Sequence, residues 1–262
     1  VTSPAPGATG PAVLAEAVDV ALGGVPIVRN ASLTIGRGEV VAILGNNGSG
    51  KTTLMRALVG LVPSTGRIEL LGEPLGGFRR WRRIGYVPQR STILVQQATC
   101  REVVASGRLA RRRPFLPESA EVDLAERARF PFVRLSGGQQ QRVLIARALA
   151  TGADLMLWDE PLAGVDRTTQ QTLAALAGRL KAAGTTVVMV LHELGAFADL
   201  IDRSIVLADG RVMPPGYSHH EHTGHHHAGH DHGEHDHRAF HGGHETGEVE
   251  PPHTHHTGLE VG

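Results

Sequence analysis

The sequence predicts an α/β fold built on a mostly parallel sheet covered on both faces. Short apolar runs, Glu39–Leu44, Leu155–Trp158 and Thr185–Leu191, lack the polar alternation of a half-exposed strand and read as strands buried on both sides. They alternate with segments of helical period, the arrangement that parallel strands need for their crossovers. Apolar stretches such as Val40–Leu44 and Val187–Leu191 reach only five residues. A bilayer-spanning helix needs about 20, so the chain is not expected to cross a membrane. Its 262 residues supply one sizeable core, or a core with a subordinate lobe.

Residues 1–12 are rich in Pro, Gly, Ala and Thr and read as a flexible leader with neither a basic start nor an apolar run, so no secretion signal is expected. Val13–Val20 and Ile27–Ile35 alternate partially around the Gly23–Gly24 turn, which predicts an N-terminal antiparallel β part. Glu39–Leu44 is followed by a Gly-rich loop and by a helix over Lys51–Leu61, spaced through Leu54, Leu58 and Leu61. Strands are expected at Arg67–Leu71 and Ile84–Val87. Between about residues 90 and 135 the character changes: Arg111–Arg113, Pro114 and Pro117 accompany an expected helix at Thr99–Leu109 and a weaker one at Glu118–Arg129. This reads as an inserted helical subdomain. Helices at Gly138–Ala150, Thr168–Ala183 and Glu193–Ile201 then alternate with strands at Leu155–Trp158, Thr185–Leu191 and Ser204–Leu207.

The formal net charge of zero conceals a division. From Met213 onward there is one arginine against eight acids, −7, so residues 1–212 carry +7. The same tail, 213–262, holds 15 of the 16 histidines, is of low complexity, and is expected to be disordered without a ligand. A single cysteine, Cys100, excludes an internal disulfide and any multi-cysteine zinc cluster. Lysine occurs only at Lys51 and Lys181.

One of those lysines falls in Gly45-Asn46-Asn47-Gly48-Ser49-Gly50-Lys51-Thr52, which fits G-x-x-x-x-G-K-[ST] directly after a buried strand and before a helix. Small residues let consecutive backbone N–H groups converge on phosphate oxygens at a helix N-terminus. Lys51 would reach the β- and γ-phosphates and the Thr52 hydroxyl would ligate Mg²⁺. In Leu155-Met156-Leu157-Trp158-Asp159-Glu160, a buried strand delivers two acids to the carboxyl edge of a parallel sheet. Asp159 is the candidate magnesium holder through water, and Glu160 the candidate base that polarises an attacking water.

Leu135-Ser136-Gly137-Gly138-Gln139, 23 residues before Asp159 and opening a helix, resembles the signature of the ABC-transporter ATPases. Gln89 in Val87-Pro88-Gln89, Gly164-Val165-Asp166 and His192 match further elements of that family in order, over about residues 13–212. The resemblance implies a P-loop NTPase core with ATP and Mg²⁺ bound by residues 45–52 and Thr53. In the partner copy of a homodimer, Ser136, Gly137, Gly138 and Gln139 would close over the γ-phosphate, with Asp166 in the adjoining loop. It further implies that Gln89 completes the magnesium shell and that His192 contacts the γ-phosphate. Three features depart from the pattern: Leu22 replaces an aromatic ring expected against adenine, the helical subdomain looks trimmed between Pro117 and Val122, and Leu162 stands where Thr or Ser is common.

The core also resembles the ATPase subunits of bacterial zinc and manganese importers, through Arg101–Arg108, Gly164–Asp166 and Leu191–Leu194. That implies integral membrane permease subunits, an extracytoplasmic metal-binding protein acting indirectly, and a place on the cytoplasmic face of the membrane. In the tail, His225, His226, His227, His230, His232, His235 and His237 lie among Asp231, Glu234 and Asp236 and are candidate Zn²⁺ ligands. Uptake of zinc is therefore the expected function. The alternatives are transport of manganese or nickel, a non-transport ABC ATPase, and a metal-buffering protein with a weakened ATPase core. No nucleic-acid partner is expected, since the sequence reads as lacking a basic, aromatic-rich patch.

Overall fold

The computed structural model describes residues 10–89, 98–107 and 125–217. The leader to residue 9, the stretch expected to be trimmed between Pro117 and Val122, most of the weak helix at Glu118–Arg129 and the candidate zinc histidines lie outside the described residues.

Two sheets organise the rest. Strands β1 (Val13–Leu22), β2 (Val25–Ile35), β4 (Thr65–Leu70) and β5 (Glu73–Pro74) form an antiparallel sheet in the order β2-β1-β4-β5. The β1–β2 hairpin pairs Leu22 with Val25 across Gly23 and Gly24, both at positive φ, the geometry a two-residue turn needs to follow strand twist. The second sheet has the order β10-β9-β3-β8-β7-β6, from β3 (Val40–Leu44), β6 (Ile84–Val87), β7 (Leu155–Asp159), β8 (Thr186–Val190), β9 (Arg203–Ala208) and β10 (Arg211–Val212). All its pairings are parallel except β9–β10.

Alternate residues of the central strands supply two different cores, which is why those strands read as unbroken apolar runs. Val41 and Ile43 of β3, Leu155 and Leu157 of β7, and Val188 and Val190 of β8 pack with the antiparallel sheet and helix α1 (Lys51–Leu58). Val40 and Ala42, Met156 and Trp158, and Val187 and Met189 pack on the opposite side. There they meet α2 (Cys100–Ser106), α3 (Gly137–Ala150) and α4 (Arg167–Ala182). The fully buried Trp158 stands edge-on to Phe197 at 6.2 Å, a contact contributing about 1 kcal/mol beyond area burial.

Helix α1 stops at Leu58 rather than continuing to Leu61. Gly60 sits at φ +70, its N–H donates to Ala57 O, and Leu61 N–H donates to Arg56 O. This paired closure satisfies the last carbonyls and ends the helix. Helix α2 is shorter than expected at its C-terminal end, but starts where the reading placed it, at a capping box of Thr99 and Glu102. The helix expected over Glu193–Ile201 is a 3-10 segment, Gly195–Leu200. Gly195 at φ +48 breaks the α geometry at its start, leaving too few residues for a stable α-helix before β9. Among the described residues, the span 98–135 holds α2 and two 3-10 turns, Ala125–Arg127 and Phe132–Arg134.

Candidate active site

The sheet order places the site. Strands β3, β8, β7 and β6 are consecutive neighbours, and the loops leaving their carboxyl ends carry Gly45–Thr52, His192, Glu160 and Gln89.

The loop after β3 is packed too tightly for side chains at its first position. A Cβ on Gly45 would lie 2.2 Å from Leu207 O and 2.6 Å from Ser49 Oγ. The Ser49 hydroxyl is buried and has no hydrogen-bond partner among the described residues. Lys51 is 5% exposed, and its ammonium donates to Gly45 O at 2.7 Å and Asn46 O at 2.9 Å. Burial lowers its pKa, while Glu160 and Asp159 work in the opposite direction. A cation held among main-chain carbonyls, with an orphaned hydroxyl and open space over Gly48, suits an incoming polyphosphate.

Thr52 donates its hydroxyl to Asp159 Oδ1 at 2.9 Å, tying the first turn of α1 to the end of β7. Tyr86 on β6 donates to Asp159 Oδ2 at 3.4 Å. Asp159 is fully buried, and desolvation raises its carboxyl above the ordinary carboxylate range, opposed by the Thr52 hydrogen bond. A buried carboxylate beside a hydroxyl, without an ion pair among the described residues, has the oxygen donors that suit Mg²⁺. Thr52 and Asp159 are the two expected magnesium residues brought together. The Gln89 amide turns instead toward Glu160.

Glu160 is gripped from both sides. Gln89 Nε2 donates to Oε2 at 2.5 Å, and His192 Nε2 lies 3.2 Å from Oε1. The Glu160 side chain is 12% exposed, and its backbone sits at φ +49, an unfavourable conformation for a residue with a side chain. Its N–H donates to Val190 O, which fixes the turn against β8. Two residues far apart in sequence, Gln89 and His192, thus converge on the Glu160 carboxylate at the sheet edge, where it can accept a proton from water.

The signature residues open α3. Ser136 caps it, accepting from Gln139 N–H at 3.4 Å while its own N–H donates to Gln139 Oε1 at 3.1 Å. Ser136, Gly137, Gly138, Asp166 and Gln89 line a cavity of about 750 Å³. None of residues 45–53 lines that cavity. Asp166 caps α4, accepting from the Thr169 N–H and hydroxyl, which lowers its pKa. Leu22, 43% exposed, ends β1 at the hairpin.

Tyr86 escaped the sequence reading. Its position follows from the parallel register of β6 on β7, where Tyr86 pairs with Leu157, and no local motif marks it.

Comparison with known proteins matches residues 28–163 to the ABC transporter family. The manganese transport system ATP-binding protein MntB of Bacillus subtilis is 38% identical over 70% of this chain and 77% of its own length. The zinc transport system ATP-binding protein TroB of Treponema pallidum is 37% identical over 80% of this chain and 82% of its own. Import ATP-binding proteins named for phosphonates, methionine and hemin match at 36–40% identity. Among solved structures, a dimeric ATP-binding cassette in a post-hydrolysis state, bound to ADP and Pi, superposes with a TM-score of 0.67 at 30% identity, covering 77% of this chain and 97% of that one.

Proposed function

This chain belongs to the ABC transporter family as an ATP-hydrolysing, ATP-binding subunit, and on that premise we propose that it energises import of a divalent transition metal, zinc first. The observation that carries the catalytic reading is the convergence of Gln89 and His192 on Glu160 beside the Lys51–Thr52 cradle. In this reading ATP lies on residues 45–53, with Lys51 leaving its carbonyl partners for the phosphates. Thr52 and Asp159 would hold a magnesium ion, which would supply charge neutralisation at the phosphates. Glu160 accepts the proton of the attacking water, and His192 orients the carboxylate and the γ-phosphate.

The signature turn opens onto a cavity that residues 45–53 do not line, which supports a composite site between two copies, each signature turn facing the other's nucleotide. Its helix N-terminus presents main-chain N–H groups to an anion. Loss of phosphate removes the bridging charge, the halves part, and permease subunits on the cytoplasmic face of the membrane convert that opening into transport. An extracytoplasmic metal-binding protein delivers the cargo.

Zinc is favoured by the TroB likeness together with a tail holding 15 histidines. Neutral imidazoles of His225–His227, His230, His232, His235 and His237 suit Zn²⁺, with affinity falling as they protonate near pH 6.5. The MntB likeness favours manganese as the second reading. Metal uptake by cells carrying the chain and its permease decides between them: zinc-stimulated ATP turnover and zinc accumulation support the first, manganese alone the second. Removing residues 218–262 should leave basal ATPase activity intact and abolish stoichiometric zinc binding. Retained stoichiometric binding would locate the zinc sites elsewhere.

A further inference from the structure

Tyr86 belongs to no motif, yet the fold ties it to the residue expected to hold magnesium. Strand β6 pairs with β7 in parallel register, Tyr86 opposite Leu157 and Val87 opposite Trp158. Opposed residues share a face that recurs at every second position, so Tyr86, Leu157 and Asp159 stand on one side of the sheet. The Tyr86 ring packs against the core between that side, the antiparallel sheet and α1. Its hydroxyl donates to Asp159 Oδ2 at 3.4 Å. The strands approach closely here, since a Cβ on the adjacent Gly85 would lie 2.3 Å from Met156 Sδ. The phenol is thus placed by strand pairing and not by the phosphate loop.

Asp159 is held from two sides. Thr52 donates to Oδ1 at 2.9 Å and Tyr86 donates to Oδ2, so each oxygen keeps a lone pair beyond the one its donor uses. Those remaining sites are the kind that a hard divalent cation takes. The two donors differ in duty. Thr52 is itself expected to meet the ion, whereas Tyr86 lies outside residues 45–53 and is anchored on the neighbouring strand. Burial, and then the Asp159 charge, raises the Tyr86 pKa, with Arg56 opposing, so the phenol keeps its proton and serves as a donor. A single hydrogen bond fixes one carboxylate oxygen and leaves the other free to turn about it. A second donor on the other oxygen sets the plane of the group. We propose that Tyr86 is a positioning residue whose hydroxyl orients the Asp159 carboxylate and thereby sets how strongly a divalent cation tightens nucleotide binding. This rests on the reading that Thr52 and Asp159 hold Mg²⁺, and it adds to that site a residue from outside the phosphate loop. Hydrogen-bond partners behind a metal-holding carboxylate contribute about ten-fold or more to metal affinity.

The test measures ADP binding to the full-length chain by calorimetry, with Mg²⁺ and with EDTA, for the parent, Tyr86→Phe and Asp159→Asn. Tyr86→Phe keeps the packed ring and removes only the hydroxyl. In EDTA it should bind ADP within about two-fold of the parent, while the gain in affinity that Mg²⁺ supplies shrinks about ten-fold. In turnover assays the half-saturating Mg²⁺ concentration should rise by a similar factor, and excess Mg²⁺ should restore kcat. A hydroxyl that served packing alone would weaken binding equally in both conditions and leave the Mg²⁺ gain at the parent's value. That result, or parent-like binding throughout, would overturn the proposal. Asp159→Asn separates the two levels of the argument. Loss of the Mg²⁺ gain in Asp159→Asn with an unchanged gain in Tyr86→Phe rejects the role of Tyr86 alone. A full Mg²⁺ gain in Asp159→Asn rejects the magnesium reading beneath it.

Discussion

Gln89 donates its side-chain amide to Glu160 at 2.5 Å, joining the segment that leaves β6 to the acid that ends β7. The contact occupies one carboxylate oxygen while His192 faces the other at 3.2 Å. Movement of the chain at Gln89 would therefore reach Glu160, the proposed base. Gln89→Ala is expected to lower kcat about ten- to hundred-fold with a smaller change in KM for ATP, because it removes orientation of a base. Steady-state kinetics check this, and an unchanged kcat would separate Gln89 from the chemistry.

Gly45→Ala tests the tightness of the phosphate loop. The new Cβ would press on the Leu207 carbonyl at 2.2 Å, a backbone atom that cannot swing aside. A loss of about 2 kcal/mol or more in folding stability is expected, with nucleotide binding lost as well. Urea denaturation and nucleotide titration measure the two effects, and wild-type values in both would show that the loop can spread.

Leu22→Tyr tests the adenine contact. Leu22 is already 43% exposed at the hairpin end, so an added ring need not displace core atoms. A stacking gain of about 1 kcal/mol corresponds to about five-fold tighter ATP binding. Calorimetric titration of the two proteins reads the difference directly. Equal affinities would place the base elsewhere.

Asp202 links three elements: its Oδ2 accepts from Val40 N–H at 2.9 Å and its Oδ1 from Lys181 Nζ at 2.6 Å. The Lys181 hydrogen bond and then the Val40 hydrogen bond hold its carboxyl below the ordinary value of 3.8. A depressed folded-state pKa contributes stability above the unfolded value, and that stability is lost as pH falls through the folded value. Both side chains are more than a third exposed, so the effect of Asp202→Asn at pH 7 should be no more than about 1 kcal/mol. Denaturation curves of the two proteins should converge as pH drops well below 3.8; a constant gap would mean that the carboxylate charge is irrelevant.

Much of this architecture was readable locally. The Gly45–Thr52 spacing, the Leu155–Glu160 run and the Leu135–Gln139 turn each carry their chemistry within a few consecutive residues. The apolar runs at β3, β7 and β8 announced a sheet buried on both faces. What escaped depends on partners remote in sequence. Tyr86 reaches Asp159 only through the β6–β7 register, and Gln89 meets Glu160 from 71 positions away. Strands β5 and β10 are two residues each, too short to show a period. The helix expected at Glu193–Ile201 failed on the backbone of Gly195, whose positive φ is invisible to hydrophobic spacing.

Glu160→Gln asks the most of the site, because it keeps the shape of the side chain and removes its ability to take a proton. With ATP and Mg²⁺, size-exclusion chromatography of this variant should show a stable dimer containing unhydrolysed ATP, with turnover at least about a hundred-fold below the parent. A variant that hydrolyses ATP at the parent's rate and elutes as a monomer would mean that Glu160 is not the base and that the nucleotide is not held between two copies.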